Sequence, residues 1–291
     1  MKINNAIIIS DLHCGCQYGL APPAVVLDGG GTYRASSDQM TMYDWWMELW
    51  GDWVPRVTHG EPYCVILNGD AVDGVHHNAN TQISQNITDQ RKLAKLLLLP
   101  VVDACEGRFF MIRGSSVHTG ESGMNEETLA EELMALPDEY GHYARNDMFL
   151  KIGSALCHFA HHIGVTGSMA YESTGLAKEF TEFCSDAARW KLPVPDVVVR
   201  SHRHRHIEVK VPTSSTYGYA FTTSAWQLKT PYVFRIPGGR ITTPQIGASL
   251  IRQGDEDFFT RHKVWNVKRA KTVTQVRVNK KWFKKSGDKN G

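Results

Sequence analysis

Aspartate and histidine residues recur in four short segments of the chain. The segments are Asp11-Leu12-His13, Gly69-Asp70-Ala71-Val72-Asp73, His161-His162 and Ser201-His202-Arg203-His204-Arg205-His206. A mixture of carboxylates and imidazoles suits Mn, Fe, Zn or Ni better than Mg or Ca, which prefer oxygen ligands. The pattern therefore predicts a transition-metal centre.

Each of these segments follows a short apolar run that is typical of a buried strand. The runs cover residues 6–9, 65–67, 155–157 and 197–199. Because parallel strands deliver their carboxyl ends to one edge of a sheet, we expect all four segments to converge on one site.

The spacing within the segments predicts how ligands would be shared. Asp11 and His13 are two residues apart, so in extended backbone they point the same way and can bind one ion. Asp70 is placed to bridge two ions, because a carboxylate has two oxygens and the charge to hold two cations. His202 and His204 repeat the two-residue spacing, which allows one imidazole for each ion. Two adjacent extended residues face opposite ways, so we expect only one ligand from the pair at 161–162.

The surrounding pattern predicts an α/β protein with parallel strands and right-handed crossovers. Its first half alternates strands and helices, including a tryptophan-striped helix closed by Pro55 and a second helix interrupted near Pro100. In chain order we predict strands at 6–10, 63–67 and 109–112, helices at 38–54, 88–105, 125–136 and 168–190, a hairpin over 148–159, strands at 196–199, 207–211, 219–223 and 232–236, and a hairpin over 248–264. The tryptophan stripe is interpreted as core packing.

Composition indicates an ordinary soluble globular chain of 291 residues, 42% hydrophobic and 21% charged. No apolar run approaches the roughly 18 residues of a membrane span, and the N-terminus has no signal-peptide pattern. We therefore expect a cytoplasmic protein with no membrane association. The six cysteines are scattered, which favours free buried thiols over a disulfide framework.

The net charge of +2 hides an asymmetry between the C-terminus and the rest of the chain. Residues 260–291 contain eleven lysines or arginines and one acid, Asp288. Basic residues interleaved with aromatics, as in Lys280-Lys281-Trp282-Phe283-Lys284-Lys285, fit contacts to a nucleic-acid backbone. A solvated tail is the alternative interpretation.

The order of the motifs resembles the calcineurin-like metallophosphoesterase superfamily, whose pattern is D-x-H, G-D-x-x-D, G-N-H-[DE], a lone His and G-H-x-H. The resemblance spans about residues 6 to 210. The third motif departs from the pattern, because this chain reads Arg113-Gly114-Ser115-Ser116-Val117-His118. The asparagine is absent and the histidine arrives two residues late, a variant that resembles phage and prophage members. Ser201 also replaces the usual glycine of the last motif.

The resemblance implies a four-layer α/β/β/α sandwich and two divalent cations, with Mn favoured over Fe, Zn or Ni. It implies that Asp11, His13, Asp70 and His204 bind the first cation. Asp70, His161 and His202 would bind the second, with Ser115 as a further candidate. His118 would stabilise the transition state or protonate the leaving oxygen, with Asp73 orienting it. The implied reaction is in-line attack on phosphorus by a hydroxide that bridges the two metals.

These observations predict a metallophosphoesterase domain over residues 1–267, with the 14–60 loop and tryptophan-rich helix as an insertion, followed by a basic tail over 268–291. The favoured function is a phosphodiesterase or nuclease acting on nucleic acid in the cytoplasm, which is the host cytoplasm if the chain is phage-encoded. One alternative is a phosphatase acting on nucleotides or phosphoprotein. Another is a weakly active, metal-stabilised binding protein, suggested by the altered third motif.

Overall fold

The computed structural model describes residues 3–76, 78–164, 168–213, 217–236 and 242–267. In chain order the strands are β1 Asn5–Ile9, β2 Ala24–Val26, β3 Thr32–Arg34, β4 Cys64–Asn68, β5 Phe109–Ile112, β6 Ala144–Arg145, β7 Asp147–Ile152, β8 Ala155–Ala160, β9 Val197–Arg200, β10 Ile207–Pro212, β11 Tyr217–Thr222, β12 Ile246–Gln253 and β13 Phe258–Trp265. The α-helices are α1 Ser37–Glu48, α2 Val54–Thr58, α3 Ile87–Ala104, α4 Ser116–Thr119, α5 Met124–Glu132 and α6 Glu172–Trp190. The predicted basic tail, 268–291, lies outside the described residues.

Two sheets organise the chain. The first has six strands in the order β13-β12-β1-β4-β5-β6, and the second has five in the order β10-β11-β9-β8-β7. Strands β1, β4, β5 and β6 pair in parallel, as do β8, β9 and β11. The parallel pairing predicted for the first three strands is confirmed, and so are the hairpins β7–β8 and β12–β13.

Alternate residues of the central strands enter different cores, which explains their unbroken apolar runs. In β1, Ile7 and Ile9 pack on the helical side, whereas Ile8 belongs to the core shared with the second sheet. A third core joins the outer face of the second sheet to α6, through residues such as Val198 and Phe180. The layers are therefore helices, sheet, sheet and helix, and the predicted α/β/β/α sandwich is confirmed.

Both proline-containing helices continue where the sequence predicted a break. A π-helical segment, Leu49–Trp53, joins α1 to α2, so the helical run passes Pro55 and ends at Thr58. Its i→i+5 hydrogen bonds change the backbone hydrogen-bonding pattern just before Pro55, which has no N–H to donate. Helix α3 contains Pro100 on its exposed face, where water can satisfy the carbonyl left without a partner. The tryptophan stripe does pack in the core, with Trp46 and Trp53 buried.

The predicted strand at 232–236 is wrong. These residues form a turn and the 3₁₀ helix Val233–Arg235, held by local bonds from the Val233 N–H to the Thr230 carbonyl and from the Arg235 N–H to the Tyr232 carbonyl. Tyr232 and Phe234 are exposed, so their apolar character does not indicate a core strand here.

Among the described residues, no helix combines the length and apolar character needed to cross a membrane.

Candidate metal centre

The loops that follow the parallel strands of both sheets meet at one edge of the sandwich. The loops after β1 and β4 continue the strand pairing, because the N–H groups of Asp11 and His13 donate to the carbonyls of Gly69 and Asp70 at 2.9 and 3.0 Å. The loops after β8 and β9 are joined where the Ser201 N–H donates to the His161 carbonyl at 2.9 Å. The predicted ligands are thereby brought together, as the strand-end pattern led us to expect.

Several of the predicted ligands have left-handed backbone conformations, which non-glycine residues adopt at a cost. Their φ angles are 53° for Asp11, 44° for His13, 55° for Asp70, 68° for His202 and 53° for His204. Backbone strain concentrated in this way is typical of functional sites. It turns side chains from successive loops toward one point, which regular extended backbone would not do.

The first ligand set consists of Asp11, His13 and His204, together with Asp70. The Nε2 atoms of His13 and His204 are 3.2 Å apart, and His204 Nε2 is 3.3 Å from Asp11 Oδ1. Asp70 Oδ2 lies 3.9 Å from His13 Nε2. Asp11 Oδ1 is buried and accepts no hydrogen bond from the described residues.

The second ligand set consists of Asp70, His161, His202 and Ser115. His161 Nε2 is 3.1 Å from Asp70 Oδ2. Ser115 Oγ lies between the others, 3.2 Å from Asp70 Oδ2, 3.3 Å from His161 Nε2 and 3.0 Å from His202 Nδ1. The same oxygen of Asp70 therefore faces both sets.

These separations fit two cations. With ligands about 2.1 Å from an ion, neighbouring ligand atoms are about 3.0 Å apart in an octahedron and about 3.4 Å apart in a tetrahedron. Most of these separations fall in this range, and the buried, unpartnered oxygen of Asp11 gains a partner when a cation binds. The donor set of carboxylate and imidazole suits transition metals.

Charge within the centre explains the pKa values of its groups. Burial alone lowers the pKa of His161, but the neighbouring carboxylates of Asp70 and Asp11 outweigh burial and raise it to about 10. Burial raises the pKa of Asp11, but His204 and His161 outweigh burial and lower it to about 2. The pKa of Asp70 is likewise well below its usual range, because His161 outweighs burial. The buried carboxylates thus stay ionised and are stabilised by nearby positive charge, either of protonated histidines or of bound cations.

The third motif forms a one-turn helix, α4, and this accounts for the late histidine. Ser115 is at the N-cap position of this turn, Ser116 is exposed, and His118, two residues later, lines the cleft. The Nδ1 atom of His118 contacts the carbonyl oxygen of Asp73 at 2.5 Å, which leaves Nε2 for a substrate. Burial and the charge of His13 lower the pKa of His118 to about 4.

Asp73 contacts His13 and His118 through different atoms. Its carboxylate oxygen Oδ1 lies 3.3 Å from His13 Nδ1, while its backbone carbonyl contacts His118. Gln82 donates to the other carboxylate oxygen at 2.9 Å. The carboxylate therefore orients a predicted metal ligand, and the predicted contact with His118 is made by the main chain.

Sequence reasoning missed Glu126 on α5. This fully buried carboxylate accepts the N–H of Ala71 at 2.8 Å and the N–H of Gly114 at 2.6 Å, so it joins the second and third motif loops. Burial and the charge of Asp70 raise its pKa to about 7. A lone glutamate on a helix has no sequence pattern that would single it out.

A chain of polar side chains ties the two sheets together beneath the ligands. Thr223 Oγ1 lies 2.6 Å from Ser10 Oγ and 2.8 Å from Ser201 Oγ, and Asn68 donates to Ser201 at 2.6 Å. All four residues are buried. The hydroxyl of Ser201 thus has structural partners, where the motif usually has glycine.

The expectation that His161 and His162 face opposite ways is wrong. Strand β8 ends at Ala160, so both residues lie beyond the region where side chains alternate. Their ring centroids are 5.3 and 4.9 Å from that of His202.

All six cysteines are free, as predicted. Burial raises the pKa of Cys14 far above its usual range and that of Cys16 to about 12, so both thiols stay protonated. Protonated thiols are poor metal ligands.

A cleft of about 510 Å³ opens above the ligands. His13, Asp70, His118, His202 and His204 contribute to its floor. Its lining includes His76, residues 78–81 and the turn around residues 230–236, which carries Tyr232 and Arg235. A molecule entering the cleft would contact residues of both ligand sets and His118.

No protein-family model matches the chain, and no curated protein matches its sequence. Similar solved structures include a predicted phosphoesterase from Streptococcus pneumoniae TIGR4, with 11% identity, 91% of each chain covered and a TM-score of 0.36. A metallophosphoesterase from Sphaerobacter thermophilus has 10% identity over 90% of this chain and 89% of that chain, with a TM-score of 0.36. Vacuolar protein sorting 29 from Cryptosporidium parvum has 9% identity over 91% of this chain and 98% of that chain, with a TM-score of 0.37. Sequence identity and the quality of superposition are low in all three pairs.

Proposed function

We propose that this chain is a metal-dependent phosphoesterase of the calcineurin-like type, with a centre for two divalent transition-metal ions. The observation that supports it most strongly is that Asp70 Oδ2 lies within 3.9 Å of a ligand atom of each set, His13 Nε2 and His161 Nε2. One buried carboxylate oxygen in that position would both bind two ions and set their spacing. The variant third motif favours a member like those of phages and prophages.

The ligand sets would hold the two ions, with Asp11, His13 and His204 on one side and His161, His202 and Ser115 on the other. Divalent cations in such a site supply Lewis-acid stabilisation of the phosphoryl group and lower the pKa of bound water. Asp73 would keep the His13 ring oriented with its Nε2 lone pair toward the site.

His118 would protonate the leaving group. Its Nδ1–H donates to the Asp73 carbonyl, so Nε2 is the atom that can carry a proton to the leaving oxygen. With its pKa at about 4, the imidazole is neutral near pH 7. A bound anionic phosphate would raise that pKa and so allow His118 to become charged.

We further propose that the substrate is a phosphodiester of nucleic acid. The support is the composition of residues 260–291, with eleven basic residues against one acid. A nucleotide phosphatase is the second candidate. The cleft of about 510 Å³ is lined by Tyr232 and Arg235, which suit the aromatic base and the phosphate of a nucleotide.

The experiment compares hydrolysis of bis-p-nitrophenyl phosphate, single- and double-stranded DNA and mononucleotides by the Mn-loaded chain. Hydrolysis of bis-p-nitrophenyl phosphate and of DNA supports the phosphodiesterase. Turnover of mononucleotides alone supports the second candidate. If two ions bind and no ester is hydrolysed, the chain is a metal-stabilised binding protein.

The role of the basic tail is tested in the full-length chain by replacing Lys280, Lys281, Lys284 and Lys285 with Gln. DNA affinity should fall, and the slope of log affinity against log salt should flatten by about 0.9 for each phosphate that the protein no longer neutralises. Hydrolysis of bis-p-nitrophenyl phosphate should not change, because that ester needs only the metal centre and His118. An unchanged salt slope would remove the reason for preferring nucleic acid.

A further inference from the structure

We propose that His162 is a ligand of the second cation, alongside Asp70, His161 and His202. The inference rests on the two-cation centre proposed above. It gives this chain a protein ligand in addition to the set expected from its motifs.

The first argument is geometric. Beyond the end of β8 the chain bends, and the ligand atoms of His161, His162 and His202 all lie within 4.8 Å of one another. Ligands on opposite sides of one ion are about 4.2 Å apart when each metal–nitrogen distance is about 2.1 Å. The His162 side chain is exposed, so rotamer changes on the picosecond to nanosecond scale can close the remaining gap.

The second argument compares the donors of the two sets. The first set has two carboxylates and two imidazoles, from Asp11, Asp70, His13 and His204. The second set has one carboxylate and two imidazoles, and its fourth group is the neutral hydroxyl of Ser115. An imidazole is a better ligand for Mn, Fe, Zn or Ni than a neutral hydroxyl. His162 therefore brings the second set to the same number of strong donors as the first.

The third argument is the arrangement of the rings. The His162 ring is 4.9 Å from the His202 ring and 5.2 Å from the His161 ring, in edge-to-face contact with both. The three imidazoles are thus grouped around one small volume. A cation in that volume would be held by all three rings, and Asp70 Oδ2 lies 3.1 Å from His161 Nε2.

The test is a titration of the full-length, chelator-stripped protein with Mn²⁺ by calorimetry, with metal content measured after desalting. The wild-type chain should bind two ions. In the variant His162→Ala, affinity for one ion should fall by at least about 10-fold, since even losing a partner of a ligand costs 10- to 100-fold. Affinity for the other ion should not change. The matched control is His142→Ala, which removes an exposed imidazole whose partner is Asp138.

A second readout separates a ligand from a merely structural residue. With Co²⁺ in place of Mn²⁺, the visible d–d absorption reports the number and type of ligands. His162→Ala should change the band of one ion, and His142→Ala should leave both bands unaltered. Equal affinities and identical Co²⁺ spectra for wild type and His162→Ala would overturn the assignment of His162 while leaving the two-ion centre in place. Uptake of fewer than two ions by the wild-type chain would contradict the centre itself and His162 with it.

Discussion

The two sheets contribute different chemistry to the candidate centre. The loops of the first sheet supply every carboxylate, from Asp11, Asp70 and Asp73, and all three are at most 2% exposed. The loops of the second sheet supply imidazoles, of which His161 is buried, His204 is half-buried, and His162 and His202 are exposed. The carboxylates are thus held in the interior, and most of the second-sheet imidazoles lie toward the surface.

The difference follows from how each side is held. The first-sheet loops extend the β1–β4 pairing and are joined by Glu126, so their carboxylates have little freedom. Second-sheet loops depend more on turns, such as the Arg203 N–H bond to the Ser201 carbonyl at 2.8 Å. We infer that the carboxylate side determines whether cations bind and how far apart they lie. The imidazole side then determines how tightly each is held.

The largest expected effect comes from removing the shared charge. Asp70→Asn keeps the shape of the side chain and loses the negative oxygen that faces both sets. Neither ion should then be retained after desalting, and turnover should fall by more than the roughly 10²- to 10⁴-fold expected for a missing proton donor. Metal analysis and hydrolysis of bis-p-nitrophenyl phosphate measure both effects. Two bound ions with near-normal turnover would show that the carboxylate side does not determine binding.

The next effect separates binding from chemistry. His118→Ala should retain both ions and lose about 10² to 10⁴ in rate, the usual contribution of a positioned acid. Ser116→Ala is the control in the same turn, since Ser116 is exposed, and it should have little effect. If Ser116→Ala lost the rate and His118→Ala kept it, Ser116 rather than His118 would be the residue that faces the substrate.

A smaller effect is expected from Glu126→Gln. The amide can accept only one of the two N–H groups that the carboxylate now accepts, which leaves a buried donor without a partner at a cost of about 1–3 kcal/mol. The second and third motif loops should separate, and metal affinity should fall by about 10- to 100-fold. Glu131→Gln, at an exposed position of the same helix, should have no effect on calorimetric affinity. A wild-type metal affinity in Glu126→Gln would mean that the two loops keep their positions without both hydrogen bonds to residue 126.

The gentlest change, which alters no residue, is a change of pH, and it should change metal affinity. Because the pKa of His161 in the metal-free protein is about 10, its imidazole carries a proton below that pH. Cation binding must release this proton, so affinity should rise with pH, by about tenfold per unit for each proton released. The rise should level off as pH passes the pKa. Calorimetric titrations in buffers of different ionisation enthalpy count the protons released. A metal affinity that does not change with pH would contradict the predicted release of a proton from His161.

Most of the sandwich could be predicted from the sequence, because the apolar runs of β1, β4, β5 and β9 are short, continuous and followed by polar motifs. The errors arose where local bonding overrides pattern. Pro55 and Pro100 lie within helical runs because a π segment and solvent exposure remove their usual penalty. The run at 232–236 is apolar except for Arg235 and yet forms a turn at the cleft.

The site was predictable to the extent that ligands are adjacent to strand ends. Asp11, Asp70, His161 and His204 are brought together for that reason. The bracing role of Glu126 depends on tertiary packing of a helix against two loops, which no spacing rule encodes. The approach of His162 to His202 depends on where β8 ends, and a shift of one or two residues in that boundary changes which way the side chain points.

Electron paramagnetic resonance of the Mn²⁺-loaded full-length chain tests most directly whether two metal ions share one oxygen of Asp70. Two Mn²⁺ ions that share a bridging ligand are exchange-coupled, so we predict a coupled-pair spectrum at a stoichiometry of two ions per chain. Asp70→Asn should abolish that spectrum. A fully loaded wild-type chain that gives only the signal of isolated Mn²⁺, or that binds a single ion, would contradict a shared Asp70 oxygen.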